Sequence, residues 1–272
     1  MSVSLVGILN VTPDSFSDGG LYLDPEKAIA HARMMRQSGA DIIDVGAQST
    51  GPKSKQIGAD EEMARLKDIV SMLSQEFPIS VDTYYSDVAS WALKNGATMI
   101  NDVTSGSDPK MFSVVADSDC KIVIMFSVQP QPHNYEHLVT GEPAIAGDLI
   151  SFISNFFEKT IDQALLAGIR KEQIVIDPGM GAYLSSDPKV SWELIKRFSE
   201  LKKLGFPLMF ACSRKGFLKI EPENSPMERD PISALAGLLV AKDFDFAGPD
   251  YIRTHNPLVQ REFLEAVNQP SP

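Results

Sequence analysis

Cysteine, tryptophan and histidine are scarce in this chain, and positive charge is in deficit. The two cysteines, Cys120 and Cys212, cannot build a disulfide framework and lack the spacing of zinc ligands, so both are expected as small buried hydrophobes. Lys and Arg total 25 against 36 Asp and Glu, a net charge of −11 with a pI of about 4.8. Nucleic-acid binding calls for a basic stripe, and the densest basic cluster, Lys53-Ser54-Lys55, has two charges only. An anionic substrate must therefore be held by local cations, backbone amides or a metal, against the overall field. No apolar run approaches the ~20 residues that span a bilayer, so no membrane partner is expected. Met1-Ser2-Val3-Ser4 carries no basic segment, which predicts no secretory signal and a cytoplasmic location. Low-complexity tracts, an inter-domain linker, and any plausible Ser-His-Asp or Cys-His arrangement are also missing.

What is present is a regular alternation. Short apolar runs at Leu5–Leu9, Asp41–Val45, Ile79–Val81, Thr98–Ile100, Ile122–Met125, Ile174–Ile176, Leu208–Ala211 and Tyr251–Ile252 read as strands. Amphipathic segments lie between them: Pro25–Gln37, Asp60–Leu73, Asp87–Lys94, Pro109–Val115, Asp148–Leu166, Pro188–Lys203, Pro231–Ala241 and Pro257–Ala266. Several open on Pro or Asp-Pro, a helix start signal, and Gly39, Gly96, Gly168 and Gly205 fall just past helix ends. A hydrophobic content of 43% suffices for a large core. Eight strand–helix repeats predict an α/β fold, a (β/α)8 TIM barrel, as a single domain over residues 1–272.

The strand ends carry the chemistry. Asn10 follows strand one, Gly46-Ala47-Gln48-Ser49-Thr50 strand two, Asp82 strand three, Asn101-Asp102 strand four, and Asp177 strand six. Strand seven leads to Ser213-Arg214-Lys215, and strand eight to Arg253-Thr254-His255. In a parallel barrel these ends share one rim, where barrel active sites sit. Generic solvent exposure does not account for carboxylates and amides directly at the ends of internal strands, where an unpaired carboxylate is costly. Strands one and eight become neighbours on closure, which brings Asn10, Arg253 and His255 to one stretch of rim. Cys, Arg214, His133 and His137 are given no chemical role.

The run Gly7-Ile8-Leu9-Asn10-Val11-Thr12-Pro13-Asp14-Ser15-Phe16-Ser17-Asp18-Gly19-Gly20, with Ser80-Val81-Asp82-Thr83, Ile100-Asn101-Asp102-Val103, Asp177-Pro178-Gly179-Met180-Gly181 and Ser213-Arg214-Lys215, resembles the dihydropteroate synthase family from Gly7 to about Ala266. The resemblance implies a transferase of folate biosynthesis. It would join 6-hydroxymethyl-7,8-dihydropterin diphosphate to p-aminobenzoate, giving dihydropteroate and diphosphate. It assigns Asp82, Asn101, Met125, Asp177 and Lys215 to the pterin, and Asn10, Arg253 and His255 to the diphosphate. Asp82, Lys215 and Arg253 become the catalytic set, and Asn10 the ligand of a Mg2+ cofactor. Thr50, Pro52, Ser213 and Tyr183 fall to p-aminobenzoate, the loops Val11–Leu23 and Ala47–Gly58 become lids, and a homodimer is expected. The chemistry agrees: a 2-amino-4-oxo-pyrimidine presents a fork of N–H and NH2 that one carboxylate, here Asp177, can accept, and Asn101 can both donate and accept.

Three departures stand out. The usual Ser-Thr-Arg-Pro of the second loop is Ser49-Thr50-Gly51-Pro52, the histidine after the strand-five methionine is Phe126, and the loop Met180–Pro188 is long. That loop, Phe126-Ser127-Val128-Gln129 and Tyr251-Ile252-Arg253-Thr254-His255 are similar to the sulfonamide-resistance synthases. This implies reduced sulfonamide sensitivity with Tyr183 as a pocket wall, although Ala182 replaces one expected bulky position. Two other readings stay open: a pterin-binding homologue without synthase activity, and a pterin-dependent methyltransferase partnered by a corrinoid protein.

Overall fold

A computed structural model describes residues 3–12, 24–48, 54, 56–128, 147–221, 225–242 and 250–266. Its strands are β1 (Ser4–Asn10), β2 (Ile42–Gly46), β3 (Ile79–Asp82), β4 (Met99–Asp102), β5 (Lys121–Met125), β6 (Ile174–Asp177), β7 (Met209–Phe210) and β8 (Tyr251–Thr254). The helices between and after them are α1 (Pro25–Gln37), α2 (Ala59–Leu73), α3 (Ser86–Lys94), α4 (Met111–Ala116), α5 (Leu149–Leu166), α6 (Pro188–Lys196), α7 (Asp230–Ala241) and α8 (Pro257–Ala266). The strands pair in parallel in the order β6-β5-β4-β3-β2-β1-β8-β7. A bridge between Ile176 and Leu208, with the Ile176 N–H donating to the Pro207 carbonyl at 3.0 Å, closes the ring. The fold is the (β/α)8 barrel that the alternation predicts.

Most boundaries fall within two residues of the sequence reading, and α1 and α8 coincide with it. The segment Pro188–Lys203 is the exception. Its α-helix stops at Lys196, and Phe198–Leu204 continues as a 3-10 helix. The break falls at Arg197, whose guanidinium is held by Asp148 on the preceding α5 cap and by Glu193 and Glu200. β7 is shorter than Leu208–Ala211, because it pairs regularly with β8 alone.

Two apolar layers follow from the alternation of side chains along a strand. One layer lies between strands and helices and contains Leu5, Leu9, Ile43, Phe157, Phe198 and Phe210. The other gathers Val6, Met99, Val123, Val175, Met209 and Tyr251, from six different strands. Only the lumen of a barrel brings six strands together in this way. Two residues further along the same inner face come Asn101, Met125, Asp177 and Arg253. Register adds Asp82 opposite Asn101, and Asp44 opposite Ser80. The apolar plug is thus the floor beneath a polar tier at the C-terminal rim.

Gly179 makes the turn after β6 possible. Its φ is +67°, and an added Cβ would lie 2.3 Å from the Phe126 carbonyl oxygen. Left-handed backbone costs an L-residue about 1–2 kcal/mol before any clash. Gly179→Ala is therefore expected to lower the melting temperature by several degrees in a thermal scan. Melting together with wild type would show that this turn relaxes without cost.

Candidate active site

Arg253 stands at the centre of the rim. Its Nε donates to Asp44 Oδ2 and its Nη2 to Asp82 Oδ2, both at 2.7 Å. The guanidinium thereby ties β8 to β2 and β3 across the lumen. The sequence groups Arg253 with His255 and Asn10; its charge does act on His255, and its guanidinium also reaches Asp44 and Asp82, on the side of the residues expected around the ring. Burial works against the Arg253 charge, yet Asp44 and Asp82 more than offset it, so the residue stays cationic. Burial pushes Asp82 up to about 7, against the pull of Arg253.

Asp177 and Lys215 form the second charged pair. Asp177 is not a helix cap: its Oδ1 accepts the Gly179 N–H at 2.8 Å, in the turn that the glycine permits. Burial raises Asp177 to about 6, with Lys215 pulling the other way. Burial likewise lowers Lys215 to about 8, with Asp177 opposing. Lys215 Nζ donates to the Met180 carbonyl at 2.9 Å and lies 4.6 Å from the centre of the Tyr183 ring. Beside this pair Met125, Tyr84 and Val103 make a small apolar cluster, with Tyr85 and Tyr183 packed against it. A planar ring placed here would find charged partners at its edge and an apolar surface for a face.

The rim at β1 and β8 is less cationic than expected. β1 and β8 do pair directly. An added methyl at Gly46 would lie 3.3 Å from Asp82 Cβ and 3.8 Å from Asn10 Oδ1, so Asn10 borders Asp82 across that glycine. Burial, with Arg214 and Arg253 nearby, pushes His255 well below its usual range. Both influences favour the uncharged imidazole over a second positive charge. Ser213 serves His255: its Oγ accepts the His255 backbone N–H at 3.0 Å and lies 3.0 Å from His255 Nδ1. Arg214 turns away to Asp230, with Nε 2.7 Å and Nη2 3.0 Å from that carboxylate. Thr50 and Pro52, with Gly51, Lys53, Lys55, His133 and His137, lie outside the described residues.

Among the described residues no group of three or more His, Cys, Asp or Glu side chains is placed to hold a metal. The donor set fits Mg2+ only in its substrate-borne form. Mg2+ takes few protein oxygens when phosphates supply the rest, and the Asn10 amide oxygen at the rim would be the donor from this chain.

The whole chain agrees with this geometry. It matches the family described as pterin binding enzyme over residues 6–255. The dihydropteroate synthase of Staphylococcus haemolyticus is 43% identical over 269 residues, covering 97% of this chain and 93% of that protein. The type-3 dihydropteroate synthase of Escherichia coli is 38% identical, covering 93% of each. The chain belongs to the dihydropteroate synthase family. Among solved structures, the Yersinia pestis dihydropteroate synthase in a sulfonamide drug complex superposes with a TM-score of 0.89 at 31% identity, covering 98% of this chain and 94% of that one.

Against that family background, two buried acids went unnoticed in the sequence. Asp44 is 1% exposed; besides Arg253 it receives Asn101 Nδ2 at 3.2 Å. The signal was available: a carboxylate in the middle of the apolar strand Ile42-Ile43-Asp44-Val45. Glu62 gave no signal, because Asp60-Glu61-Glu62 reads as an acidic, solvated helix start. It is 1% exposed; neither carboxylate oxygen makes a hydrogen bond of good geometry among the described residues, although the Thr83 side chain and Arg65 lie close enough to favour its charge. A tyrosine pair was also missed. Gln48 donates to the Tyr84 hydroxyl and accepts the Ile57 N–H at 3.2 Å, while the Tyr85 hydroxyl donates to the Ile57 carbonyl at 2.7 Å. The chain leaving β2 and the chain entering α2 are thus both tied to the turn after β3.

Burial pushes Glu62 up to about 7 from an ordinary value of 4.5. A folded value above the unfolded one means that the native state binds the proton more tightly. Stability from this group is complete below about pH 4.5 and falls as pH rises through about 7. A shift of this size corresponds to about 3 kcal/mol. Glu62→Gln is expected to unfold at higher urea than wild type at pH 8 and to lose that advantage at pH 5. Equal midpoints at pH 8 would mean that the carboxylate is satisfied in solution.

Proposed function

We propose that this protein condenses 6-hydroxymethyl-7,8-dihydropterin diphosphate with p-aminobenzoate, giving 7,8-dihydropteroate and diphosphate in folate biosynthesis. The observation that carries the reading is a single lumen, floored by an apolar plug, in which Asp82, Asn101, Asp177 and Lys215 converge beside the Asn10 and His255 rim. Family membership over nearly the full chain supports it, and favours a synthase over a silent binder or a methyltransferase.

Asp177 accepts the N–H and amino group of the pterin pyrimidine, Asn101 meets the remainder of that edge, and Lys215 donates to the ring oxygen or N5. Met125 covers a ring face. The bond between the pterin methylene and the diphosphate oxygen breaks first, and its electron pair leaves with diphosphate. The cation that remains is spread over the ring, where the carboxylates of Asp82 and Asp177 stabilise it. The p-aminobenzoate nitrogen then forms the new C–N bond and releases a proton to solvent. No enzyme nucleophile is needed; the work is placement and electrostatics. Arg253 supplies fixed positive charge near the departing group, and His255 supplies a neutral hydrogen bond. Mg2+, held by Asn10 and the substrate phosphates, would offset diphosphate charge.

The remaining assignments belong to this proposal. Thr50, Pro52, Ser213 and Tyr183 are assigned to p-aminobenzoate by the family resemblance, with Ser213 also bonded to His255. Residues 1–272 act as one domain. No helix among the described residues is long and apolar enough to cross a membrane, in keeping with a cytoplasmic enzyme. A homodimer suits Leu235, Leu239 and Leu258, which are exposed on the adjoining helices α7 and α8.

Incubation of the protein with the pterin diphosphate, p-aminobenzoate and Mg2+ should release diphosphate and dihydropteroate in equal amounts, and chelation of Mg2+ should abolish both. Tight pterin diphosphate binding with no product at saturating p-aminobenzoate would overturn the assignment.

Reduced sulfonamide sensitivity follows from the long loop after β6. The Tyr183 ring lies against Lys215 and the Met125 cluster, where an added wall excludes a bulkier mimic of p-aminobenzoate. Shape discrimination of this kind amounts to about 1–3 kcal/mol. The sulfonamide inhibition constant is expected to exceed the KM for p-aminobenzoate, and Tyr183→Ala to lower it by roughly tenfold or more. A constant at or below KM that the substitution leaves unchanged would remove Tyr183 from this role.

A further inference from the structure

Asp44 has no place in the proposed chemistry, yet its geometry controls two residues that do. It is 1% exposed, and one oxygen, Oδ2, receives both Arg253 Nε at 2.7 Å and Asn101 Nδ2 at 3.2 Å. An ionised carboxylate accepts and never donates. Beside Asp44, Asn101 must therefore turn its NH2 inward and carry its carbonyl oxygen on the opposite edge. The same oxygen fixes the guanidinium fork so that Nη2 reaches Asp82 at 2.7 Å. Asp44 Oδ1 has no hydrogen-bond partner among the described residues, and neither does Ser80 Oγ, which sits opposite it in register.

We propose that Asp44 is a positioning residue for the pterin: it sets the orientation of the Asn101 amide, so that Asn101 meets the ring as an acceptor, and it locks Arg253 across the lumen toward Asp82. Asp44 touches no substrate in this scheme. It acts through Asn101, and the scheme rests on the pterin-binding reading above. The sequence offers Asn101 as donor and acceptor alike; its neighbour removes that ambiguity.

Asp44→Leu separates this role from mere support. It removes the oxygen that receives both Arg253 Nε and Asn101 Nδ2, so the Asn101 amide is free to turn. In Asp44→Asn the amide oxygen can take the Oδ2 position and keep both bonds, with its NH2 at the unpartnered Oδ1 position. The test is a double-mutant cycle read by calorimetry with 6-hydroxymethylpterin. Asp44→Leu should weaken binding at least tenfold in the wild-type background and less than twofold in the Asn101→Ala background, while Asp44→Asn stays within about threefold of wild type. Equal losses for Asp44→Leu in both backgrounds, or none in either, would overturn the positioning role. A wild-type protein that binds no pterin would instead overturn the functional reading. Should Asp44→Leu fail to fold, the wild-type protein gives an independent measurement by NMR. The Asn101 side-chain NH2, assigned by its loss in Asn101→Ala, should exchange with water at least tenfold more slowly than exposed amide groups, with and without the pterin. Exchange as fast as the exposed groups would overturn the proposal equally.

Discussion

The bridge from Arg253 to Asp44 and Asp82 is the constraint on which the site depends. One guanidinium spans three strands, β8, β2 and β3, through two bonds of 2.7 Å. A buried ion pair of this kind is weak evidence for stability, since desolvation consumes much of the Coulombic gain. Its value here is orientational. With two carboxylates sharing one cation, Asp82 is fixed at the rim and the charge of Arg253 cannot swing into solvent. Burial still raises Asp82 and Asp177 while lowering Lys215, so the tier holds groups whose charge responds to what enters it.

The floor matters as much as the tier. Val6, Met99, Val123, Val175, Met209 and Tyr251 fill the lumen below, so a ring entering from the rim has a fixed depth. On one side such a ring would meet the apolar cluster of Tyr84, Val103 and Met125. Water excluded by these surfaces strengthens each charged contact above them, since electrostatic interactions grow as the local dielectric falls. Packing and chemistry are therefore one arrangement: the residues that fill the barrel also set the strength of the site's hydrogen bonds.

The catalytic rim also depends on turns that carry no chemistry themselves. Gly179 lets the chain fold back so that its own N–H binds Asp177. Asp102 does a similar job after β4: its oxygens accept the Thr104 and Gly106 N–H groups at 2.8 and 2.7 Å, which spends the carboxylate on the loop. Of the adjacent pair Asn101-Asp102, the first faces the lumen and the second the backbone. Strand alternation separates them.

Much was legible in the sequence because its signals are local. Strand and helix periods, Pro at helix starts and Gly past helix ends each depend on a few neighbouring residues, so the eight repeats and the barrel followed from the chain alone. The strand-end residues Asn10, Asp82, Asn101, Asp177, Lys215, Arg253 and His255 followed as well, since a parallel barrel sends every strand end to one rim. Which of them touch was not legible. Arg253 lies 209 positions from Asp44 and 171 from Asp82 along the chain, and only closure of β8 onto β1 brings them together. Burial was equally hidden: Glu61 and Glu62 are neighbours of one residue type, yet the turn of α2 exposes the first and encloses the second. The sequence by itself determined the repeat, the barrel and the residues offered to its rim. Tertiary structure decided their partners, the lowered basicity of His255 and the burial of Asp44, because charge and hydrogen bonding answer to neighbours in space.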